Sequence, residues 1–553
     1  MGLSSVVVIP AHDEEATIKA CLRALAEQTV GRHAFETILV LDACQDATRA
    51  RAGKAAAELG LAVRMVTGPG HGPGAARRLG MDLAAERLLA AGRPDGLIAS
   101  TDADSQPAPE WLARQLQHVH AGARAVAGLV ELDPDEGTEL PVGVRRRRER
   151  DAVDRLDRVR ELDPAAEHHH FAGASIGITA AAYRHVGGLE PLHALEDAAF
   201  ATRLHERGVP ILRTRDVRVR TSARSRGRAS RGLAVDLEVS RWLEHRRFRA
   251  DEFDPAALLA NKAGRTVTVV IPTKECAQTI GAVVGEAVGP LRETGVIDEL
   301  VVIDAGSRDD TAGAAARAGA RVIQQDEVAA ELGPAQGKGD AMWRALRATG
   351  GEIVCFLDGD TRDPSPGHLV GLLGPILADR EIKLIKGAFE RPLAAGGQVL
   401  ANEGGRVTEL MARPLINLHE PRLAGFSQPL AGELAAHRSL LEAIPFPVGY
   451  GVEIAMLIDA LRRDGLAALA ECDLGMRQNR HQSLRSLGEM AYAVLAAVQR
   501  RCGRPDAVIA GAYLRPWDDG SVAAVPVAER PPIATLSDRR PSRLPVASGD
   551  ASS

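Results

Sequence analysis

Two places in the sequence put a pair of aspartates directly after an apolar segment. Asp358 and Asp360 follow the run 353–357, and Asp102 and Asp104 follow the segment LIAST. Residues i and i+2 of an extended strand point to the same side, so each pair can face one ligand. Because two close carboxylates repel each other, their natural partner is a divalent cation, Mg²⁺ or Mn²⁺, completed by diphosphate oxygens. The alternative is a turn in which aspartate caps a helix. The strand context and the repetition favour the cation.

The sequence around these pairs is one pattern written twice. SSVVVIPAHDEEATI begins the first copy, and RTVTVVIPTKECAQTI begins the second at Arg265. Each copy continues with a strand that ends in aspartate, Asp42 in ETILVLDACQDAT and Asp304 in DELVVIDAGSRDDT. Strands that alternate with helical segments predict a parallel α/β sheet, and ligands bind beyond the carboxyl ends of such strands. We therefore expect one ligand cleft in each copy.

Length and composition limit the classes of protein that fit. A chain of 553 residues is too long for one hydrophobic core, so two or more domains are expected. The net charge of -5 argues against nucleic acid as the main partner. The six cysteines form no CxxC pair, which predicts reduced thiols in a cytoplasmic protein and no zinc site. No window approaches a membrane span, and the first apolar run is too short for a signal peptide.

Domain boundaries follow from the repeat and from the charge-rich segment between its copies. We place the first domain at 1–240 and the second at 265–534. A helical linker is expected over 241–264, and a disordered tail over 535–553.

Two runs of like residues can be interpreted either as ordinary structure or as a functional site. The run RRRRER at 145–150 fits a solvated helix face better than a polyanion site. The three histidines at 168–170 could suggest a metal cluster. Adjacent residues in a strand or helix point in different directions, which argues against a site that uses all three.

A lysine in the second copy has the surroundings of a phosphate contact. GPAQGKGDAMWRAL places Lys338 between two glycines, just before a helical pattern. Backbone N–H groups and an ammonium in such a place suit phosphate oxygens, although the P-loop pattern is absent. Only seven lysines occur in the chain, so a plain surface lysine is a weaker explanation here.

The second copy resembles the glucosyl-3-phosphoglycerate synthases, retaining glycosyltransferases with the GT-A fold. The likeness covers about 266–532 and is carried by VVIP, ELVVIDAGSRDDT, GKGDAMWRAL, FLDGD, GGRVTELMARPL, QPLAGE, PFPVGYGVEI and LGMRQNRHQSL. Members of this family transfer glucose from UDP-glucose to 3-phosphoglycerate with a divalent metal. The resemblance therefore implies UDP-glucose and 3-phosphoglycerate as partners, with Mg²⁺ or Mn²⁺ as cofactor. Because close relatives are often dimers, a homodimer is one of the open oligomeric states.

The resemblance also implies roles for individual residues. Glu453 would hold the sugar hydroxyls near the reacting carbon, and Asp360 and Asn479 would bind the metal. The nucleotide sugar would contact Pro272, Thr273, Glu275, Asp304, Ser307, Lys338, Asp358, Gly359, Tyr450, Gly451 and Arg477. The phosphoglycerate would lie against Gly405, Arg406, Val407, Thr408 and His481. An arginine fork, a hydroxyl and backbone N–H groups suit a phosphate and a carboxylate.

Two departures from the family pattern bear on the nucleotide and the metal. The glutamate of the family's early motif aligns with Cys276, so Glu275 is the expected substitute. The family's metal-binding histidine aligns with Asn479, whose amide oxygen is a weaker ligand for Mn²⁺ than imidazole. His481 aligns with an acceptor-holding asparagine, and a second option is that it has taken over the metal.

The first copy resembles the broad, inverting glycosyltransferase family 2, which also has the GT-A fold. VVVIPAHDEEATI, ETILVLDACQDAT, GPGAARRLG, STDADSQP and HALEDAAFATRL carry this likeness. It implies that Asp197 takes the proton from the acceptor hydroxyl, as a carboxylate within hydrogen-bond reach can. It further implies that Arg77 faces phosphate, Asp42 the nucleotide base, Asp102 the nucleotide sugar and Asp104 the metal. It identifies neither the donor nor the acceptor.

The sequence therefore predicts two tandem, Rossmann-like GT-A domains of the α/β class. A sugar-1-phosphate nucleotidyltransferase is disfavoured, because it needs a glycine-rich loop after the first strand, where this chain has IPAHDEEA and IPTKECAQ. Two alternatives stay open. The first copy could be a non-catalytic binding module, against which Asp102, Asp104 and Asp197 argue. The second copy could use a mannosyl nucleotide or another acceptor.

Overall fold

The structure is a computed structural model of the chain. It describes residues 4–133, 140–223, 231–390, 393–395, 398–400, 405–476, 483–503, 509–518 and 520–536. The chain divides into two compact units, Met1–Arg241 and Trp242–Ser553. Each unit is built around its own sheet and is described by itself.

The first unit alternates strands and helices over most of its length. Its strands are β1 Ser5–Ala11, β2 Glu36–Leu41, β3 Val63–Thr67, β4 Leu97–Ser100, β5 Ser105–Pro107, β6 Ala125–Leu132, β7 Ile176–Thr179 and β8 Ile211–Thr221. Its helices are α1 Ile18–Ala26, α2 Thr48–Leu59, α3 Pro73–Ala90, α4 Trp111–His120, α5 Val142–Arg160, α6 Ala180–His185, α7 Glu196–Glu206 and α8 Leu233–His245, with a 3₁₀ turn at Gly173–Ser175. The last helix continues past the division between the units.

The described strands of the first unit form one sheet in the order β3-β2-β1-β4-β7-β6-β8-β5. The neighbours β3, β2, β1 and β4 run parallel, and β7 lies antiparallel between β4 and β6. Strand β8 is parallel to β6, and β5 is antiparallel to β8. The parallel part directs the carboxyl ends of β1, β2 and β4 to the same edge.

Strand β1 is apolar on both of its faces, which explains why helices cover both faces of this sheet. Val6 and Val8 join the core under α3, α6 and α7, whereas Val7 and Ile9 join the core under α1, α2 and α4. Helix α3 approaches β1 closely at Gly80, where a methyl group would lie 2.3 Å from Val8 Cγ1. A strand buried on both faces is typical of a parallel α/β sheet.

The second unit has its own series of strands and helices. Its strands are β9 Arg247–Arg249, β10 Val267–Thr273, β11 Glu299–Asp304, β12 Arg321–Gln324, β13 Ile353–Phe356, β14 Leu384–Glu390, β15 Leu393–Ala395, β16 Gln398–Leu400, β17 Leu434–His437, β18 Phe446–Pro447, β19 Leu469–Met476, β20 Ala512–Arg515, β21 Ser521–Ala524 and β22 Glu529–Arg530. Its α-helices are α9 Ala257–Lys262, α10 Ile280–Ala282, α11 Gly289–Glu293, α12 Thr311–Arg317, α13 Lys338–Ala348, α14 Pro366–Ala378, α15 Arg413–His419, α16 Arg438–Leu441, α17 Val452–Asp464 and α18 Leu484–Cys502. π-helical turns lie at Val283–Val288 and Thr408–Ala412, and 3₁₀ turns lie at Ala250–Glu252, Gln325–Glu327, Ala330–Leu332, Pro421–Gly425, Leu466–Ala468 and Ile533–Thr535.

The large sheet of the second unit repeats the topology of the first across its described strands. Its order is β12-β11-β10-β13-β17-β14-β19-β9. Strands β12, β11, β10 and β13 are parallel, β17 is antiparallel to both neighbours, and β19 is parallel to β14. Only the edge differs, because β9 is parallel to β19 whereas β5 is antiparallel to β8. The α/β class expected from the sequence is therefore confirmed.

The segment predicted as a helical linker, 241–264, contains the end of α8, strand β9 and helix α9. Trp242 donates its indole N–H to the Leu469 carbonyl at 2.7 Å, and β9 extends the second sheet. These contacts fall within the second unit, whose first residue is Trp242. Most of the expected tail, 537–553, lies outside the described residues.

Among the helices of the described residues, none combines the length and the apolar character that crossing a bilayer requires.

Candidate active site

In the second unit, three neighbouring strands bring their carboxyl ends to one edge. Strand β10 ends at Thr273, β11 ends at Asp304, and Asp358 follows β13 by one residue. Thr273 lies opposite Asp304 in the register of β10 and β11. The hydroxyl of Thr279 donates to the Gly359 carbonyl at 2.7 Å, which fixes the turn after β13. The predicted residues of this edge are thus brought together.

Lys338 is the first residue of α13, and its ammonium bridges two carboxylates. Its Nζ lies 2.8 Å from Asp358 Oδ1 and 3.1 Å from Glu453 Oε1. Burial disfavours the ammonium, but these two carboxylates outweigh burial and raise the pKa of Lys338 above its usual value. Gly337 precedes it with φ +149, and a methyl group there would lie 2.8 Å from the Val448 carbonyl oxygen. Only glycine therefore allows this close helix start.

Glu453 lies in the first turn of α17, where the helix dipole favours a carboxylate. Its side chain is buried, whereas Tyr450 just before the helix is half exposed. Gly451 packs against α18, since a methyl group at this position would lie 2.8 Å from the Ala493 carbonyl oxygen. The contact with α18 thus fixes the helix end that carries Glu453.

A second group of predicted residues forms a hydrogen-bonded chain beside the end of β11. The Ser307 hydroxyl donates to Asp304 Oδ1 at 2.5 Å, and the Glu275 N–H donates to the Ser307 hydroxyl at 2.9 Å. Glu275 accepts the Arg308 N–H at 3.0 Å and has φ +54. Cys276 is buried, and burial raises the pKa of its thiol to about 11. Glu275 is therefore the acidic side chain of this motif that borders Ser307.

The residue expected to hold the metal is exposed at the same edge. Asp360 is exposed, and Gly359 before it leaves no room for a side chain, because a methyl group would lie 2.6 Å from Thr273 Cγ2. An accessible carboxylate beside Asp358 fits a hard divalent cation that takes its other ligands from phosphate and water. The described residues contain no group of three histidine, cysteine or carboxylate side chains that could hold a metal. The other predicted contributors, Arg477, Asn479 and His481, lie outside the described residues.

The predicted acceptor residues form one turn at the start of a helix. Gly405 has φ +73, Arg406 is partly buried, and Val407 and Thr408 are buried. The Gly405 carbonyl accepts the Glu409 N–H at 3.0 Å. This turn leads into the π-helical segment Thr408–Ala412, which packs against α18.

In the first unit, the corresponding edge opens into a cavity of about 620 Å³. Its lining includes the predicted site residues Asp42, Arg77, Asp102, Asp104 and Asp197. The rest of its wall comes from the strands and the loops after them, from the first turns of α3, α7 and α8, and from the segments before α7 and α8: Pro10, Ala11, His12, Glu14, Pro73, Ala76, Ala103, Val130, Ala172, Gly173, Ala174, His193, Ala194, Leu195, Glu196, Thr221, Ser222, Arg231, Gly232, Leu233 and Ala234. The sequence thus located five residues of one cavity.

Arg77 lies in the first turns of α3 and is buried, with protein acceptors around its guanidinium. Nη2 donates to Asp102 Oδ1 at 2.7 Å, and Nη1 donates to the Ser100 hydroxyl at 2.7 Å and the Gly173 carbonyl at 2.9 Å. Its Nε lies 3.3 Å from Glu196 Oε1. Burial disfavours the charge, yet Asp102 and Glu196 raise the pKa of Arg77 above its usual value. The role in binding phosphate implied by the resemblance stays a prediction, because these acceptors occupy the guanidinium.

Two adjacent acids at the start of α7 have different surroundings. Glu196 is buried beside Arg77, and burial raises the pKa of its carboxyl despite the guanidinium. Asp197 is partly buried, borders the cavity, and accepts the Gly173 N–H at 3.2 Å. The sequence interpretation selected Asp197 and missed Glu196, although both acids stand in the same motif.

Asp42 holds a glycine-rich loop through both of its carboxylate oxygens. Oδ1 accepts the Gly70 N–H at 2.6 Å, and Oδ2 accepts the Gly72 N–H at 3.0 Å. A methyl group at Gly68 would lie 2.5 Å from the same carboxylate. Asp42 therefore fixes the loop that leads into α3, and its contact with a nucleotide base stays a prediction.

Two of the three histidines at 168–170 form side-chain hydrogen bonds with the backbone. His168 contacts the Thr214 carbonyl through Nε2 at 3.0 Å, and His170 Nδ1 accepts the Val130 N–H at 3.2 Å. Burial lowers the pKa of His169 to about 4 and that of His170 to about 3. No three-ligand metal group includes them within the described chain.

The two sheets and their acidic edges indicate the class of protein to which the chain belongs. Each unit is an α/β sheet with an acidic site at the carboxyl ends of its parallel strands, which is where nucleotide-binding enzymes hold their ligands. The model of the family described as "Glycosyl transferase family 2" matches residues 6–179 and 268–382, which together exceed half of the chain. The chain belongs to this family and is therefore a glycosyltransferase.

Individual relatives cover about half of the chain and most of their own length. Glucosyl-3-phosphoglycerate synthase from Mycolicibacterium smegmatis is 43% identical over 302 residues, which are 54% of this chain and 99% of the relative. The enzyme of the same name from Petrotoga mobilis is 36% identical over 267 residues, 48% of this chain and 82% of the relative.

Solved structures of related enzymes are similar over the same share of the chain. The crystal structure of glucosyl-3-phosphoglycerate synthase from Mycobacterium tuberculosis with Mn²⁺, UDP-glucose and phosphoglyceric acid is 41% identical, with a TM-score of 0.47, over 51% of this chain and 95% of that one. Another structure of that enzyme contains Mg²⁺ and UDP. Mannosyl-3-phosphoglycerate synthase from Rubrobacter xylanophilus is 42% identical, with a TM-score of 0.49, over 53% of this chain and 98% of that one.

Proposed function

We propose that the second unit transfers glucose from UDP-glucose to 3-phosphoglycerate with retention of configuration. The observation that carries this proposal is the Lys338 ammonium, held between Asp358 and Glu453 at the carboxyl edge of the sheet. The synthase motifs stand around these residues, within 266–532. Relatives named glucosyl-3-phosphoglycerate synthase align over nearly their whole length with half of the chain.

In this proposal, the residues of the second unit divide the work between leaving group, sugar and acceptor. Lys338 stabilises the negative charge that develops on the departing diphosphate, because a fixed cation in a site with little water acts strongly on such charge. Glu453 holds the sugar hydroxyls from the first turn of α17. Asp304, Ser307 and Glu275 form the edge that binds the uridine.

The acceptor is assigned to the turn that begins at Gly405. Arg406 matches a phosphate or carboxylate with two parallel donors, and Thr408 and the backbone add further donors. Asp360 would hold Mg²⁺ or Mn²⁺, which supplies positive charge to the diphosphate when bound. Participation of Asn479 and His481 remains a prediction from the family pattern.

The first unit is proposed to be a second glycosyltransferase, which inverts configuration, so that the chain carries two tandem GT-A domains. The support for this proposal is a difference between the two units. In the first unit the buried Glu196 is followed by Asp197, which borders the cavity. In the second unit the buried Glu453 is followed by the buried, apolar Ile454. An inverting transfer needs a base that takes the acceptor proton, and Asp197 is the carboxylate that we assign to this role. In the second unit, a retaining transfer can pass that proton to the departing phosphate.

The test is a panel of donors and acceptors with the full chain. UDP, GDP and ADP sugars are offered with and without 3-phosphoglycerate, and the product is examined by NMR for its anomeric configuration. We expect UDP release that requires UDP-glucose, 3-phosphoglycerate and Mg²⁺ or Mn²⁺ together, and an α-linked product. Faster turnover of GDP-mannose would overturn the donor assignment, and a β-linked product would overturn retention.

The same panel separates the two units when each site is inactivated in turn. Lys338→Met removes the bridging cation of the second unit, and Arg77→Met removes that of the first. A transfer that survives Lys338→Met and disappears with Arg77→Met belongs to the first unit. If no nucleotide sugar and acceptor in a broad panel give such a transfer, the first unit is a binding module.

A further inference from the structure

The centre of the second sheet contains a buried lysine that none of the roles above uses. Lys386 lies in β14 between β17 and β19, and its side chain is fully buried. Its ammonium donates a hydrogen bond to the Ala431 carbonyl. Burial lowers the pKa of Lys386 to about 8, even though the Glu453 carboxylate favours the charged form. A buried ammonium is unfavourable unless it is paired. A lysine at this position therefore calls for an explanation by its contacts.

Lys386 has a buried acid beside it on the next strand. Glu471 lies opposite Lys386 in the register of β14 and β19, so both side chains are on one face of the sheet. Its carboxylate accepts the N–H groups of Ser427 at 2.8 Å and Gln428 at 3.1 Å. It also accepts the Ser427 hydroxyl at 2.8 Å. Glu471 thus fixes the start of the loop 427–432, whereas Lys386 fixes its end.

The end of this loop lies directly against the proposed active site. A methyl group built at Gly432 would lie 2.1 Å from Lys338 Nζ and 2.5 Å from Asp358 Oδ1. The neighbouring residue, Ala431, is the one that accepts the hydrogen bond from Lys386. The backbone at Gly432 is therefore one wall of the space that holds the Lys338 ammonium and the Asp358 carboxylate.

We propose that Lys386 and Glu471 are positioning residues that hold the loop 427–432 against the Lys338–Asp358 pair. The inference rests on the proposed function of the second unit, because it assigns to Lys338 the charge of the leaving diphosphate. Without the anchor at Ala431, the wall at Gly432 moves and the ammonium loses its defined position. A displacement of about 1 Å at a reacting centre can lower a rate by about a hundredfold.

Three variants of the full chain test this proposal. Lys386→Met keeps the length of the side chain and removes its donor. Ser427→Ala removes one of the bonds to Glu471 and perturbs the fold least. Gly432→Ala places a methyl group against Lys338, and Gly285→Ala is its matched control, because nothing lies within 4 Å of a methyl group at Gly285.

Each variant is measured for kcat, for the Michaelis constants of donor and acceptor, for UDP affinity by calorimetry with Mg²⁺, and for its urea unfolding midpoint. We expect Lys386→Met and Gly432→Ala to lower kcat at least tenfold and to weaken UDP binding, with the Michaelis constant of the acceptor unchanged. Ser427→Ala should show the same pattern at a smaller size, and Gly285→Ala should match the wild type.

The outcomes separate this inference from the proposed function. If the wild type does not turn over UDP-glucose and 3-phosphoglycerate, the proposed function fails, and UDP affinity alone still tests the positioning role. If Lys386→Met and Gly432→Ala both bind UDP and turn over the substrates like the wild type, the inference is overturned. The inference is also overturned if the loss of kcat equals the fraction of protein that is unfolded. The substitution would then act on folding and not on the position of the loop.

Discussion

Arg77 Nε lies 3.3 Å from Glu196 Oε1, although the two residues are 119 positions apart in the sequence. The second unit has the same relationship, with Lys338 Nζ 3.1 Å from Glu453 Oε1. In both units the cation belongs to the helix before the strand that carries the aspartate pair, and the acid belongs to the first turn of a later helix. Each cation also contacts the first aspartate after that strand.

This shared arrangement has an electrostatic reason. Two carboxylates that face one cleft repel each other, and burial makes their charged forms less favourable. A cation between them stabilises both charges and fixes their separation. Such a pair contributes little net stability when compared with apolar residues, but removal of one partner leaves a buried charge uncompensated. The cation is therefore expected to fix the geometry of the site, and its removal alone is expected to lower the stability of the unit as well.

Lys338→Met tests the bridging cation of the second unit. We expect kcat with UDP-glucose and 3-phosphoglycerate to fall by about a hundredfold or more, because the leaving diphosphate loses a preorganised positive group. Steady-state kinetics and urea unfolding are measured together. Lys54→Met is the control, because Lys54 is an exposed residue whose ion pair contributes little. Wild-type turnover by Lys338→Met would remove Lys338 from the mechanism.

Asp197→Asn tests the base assigned to the first unit. The amide keeps the oxygen that accepts the Gly173 N–H, but it cannot take a proton. We expect the transfer that depends on the first unit to fall by about a hundredfold or more, with nucleotide binding retained. Product formation is followed with the donor that the panel identifies, and Asp151→Asn in α5 is the control. Activity close to wild type would show that another group takes the proton.

Arg406→Ala tests the assignment of the acceptor turn. Loss of a charge-assisted pair of hydrogen bonds should raise the Michaelis constant of the acceptor, 3-phosphoglycerate, by about tenfold or more. Arg406→Lys should recover only part of this, because an ammonium lacks the two parallel donors. Initial rates are measured over a range of both substrates, with Arg463→Ala at the exposed end of α17 as the control. A change in the Michaelis constant of UDP-glucose alone would move Arg406 to the donor site.

Local patterns were sufficient to predict the parts of the candidate site that follow from strand ends. Asp358 follows a buried strand, and Lys338 begins a helix after glycine, as the sequence indicated. These features depend on residues that are close in the chain, because a strand and the turn that ends it are adjacent in the sequence. The α/β class followed from the same alternation.

The sequence could not indicate which distant side chains meet. Arg77 finds Ser100, Gly173 and Glu196 at separations of 23, 96 and 119 residues, so its role depends on the assembled sheet. Lys386 was missed for a similar reason, since a strand pattern does not tell which face of a central strand is near a cleft. A lysine within the apolar stretch LIKGAF is nevertheless a signal of a buried charge that could have been followed.

The partly buried histidines of the first unit predict how its stability depends on pH. The pKa of His170 is lowered from an ordinary 6.5 to about 3, mainly by burial. Below pH 6.5, the unfolded chain binds a proton at this residue and the folded chain does not. Acidification therefore favours unfolding. This one residue should lower the free energy of unfolding by about 2 kcal/mol between pH 7.5 and pH 5.

The comparison that isolates this effect is His170→Asn against the wild type. The asparagine oxygen can still accept the Val130 N–H, but the side chain does not titrate. Urea unfolding of both proteins from pH 7.5 to pH 5 should show a smaller loss of stability in the variant, while His205→Asn on the exposed end of α7 behaves like the wild type. If wild type and His170→Asn lose the same amount of stability, His170 has the same pKa in the folded and the unfolded chain. The environment that lowers its pKa would then not persist in solution.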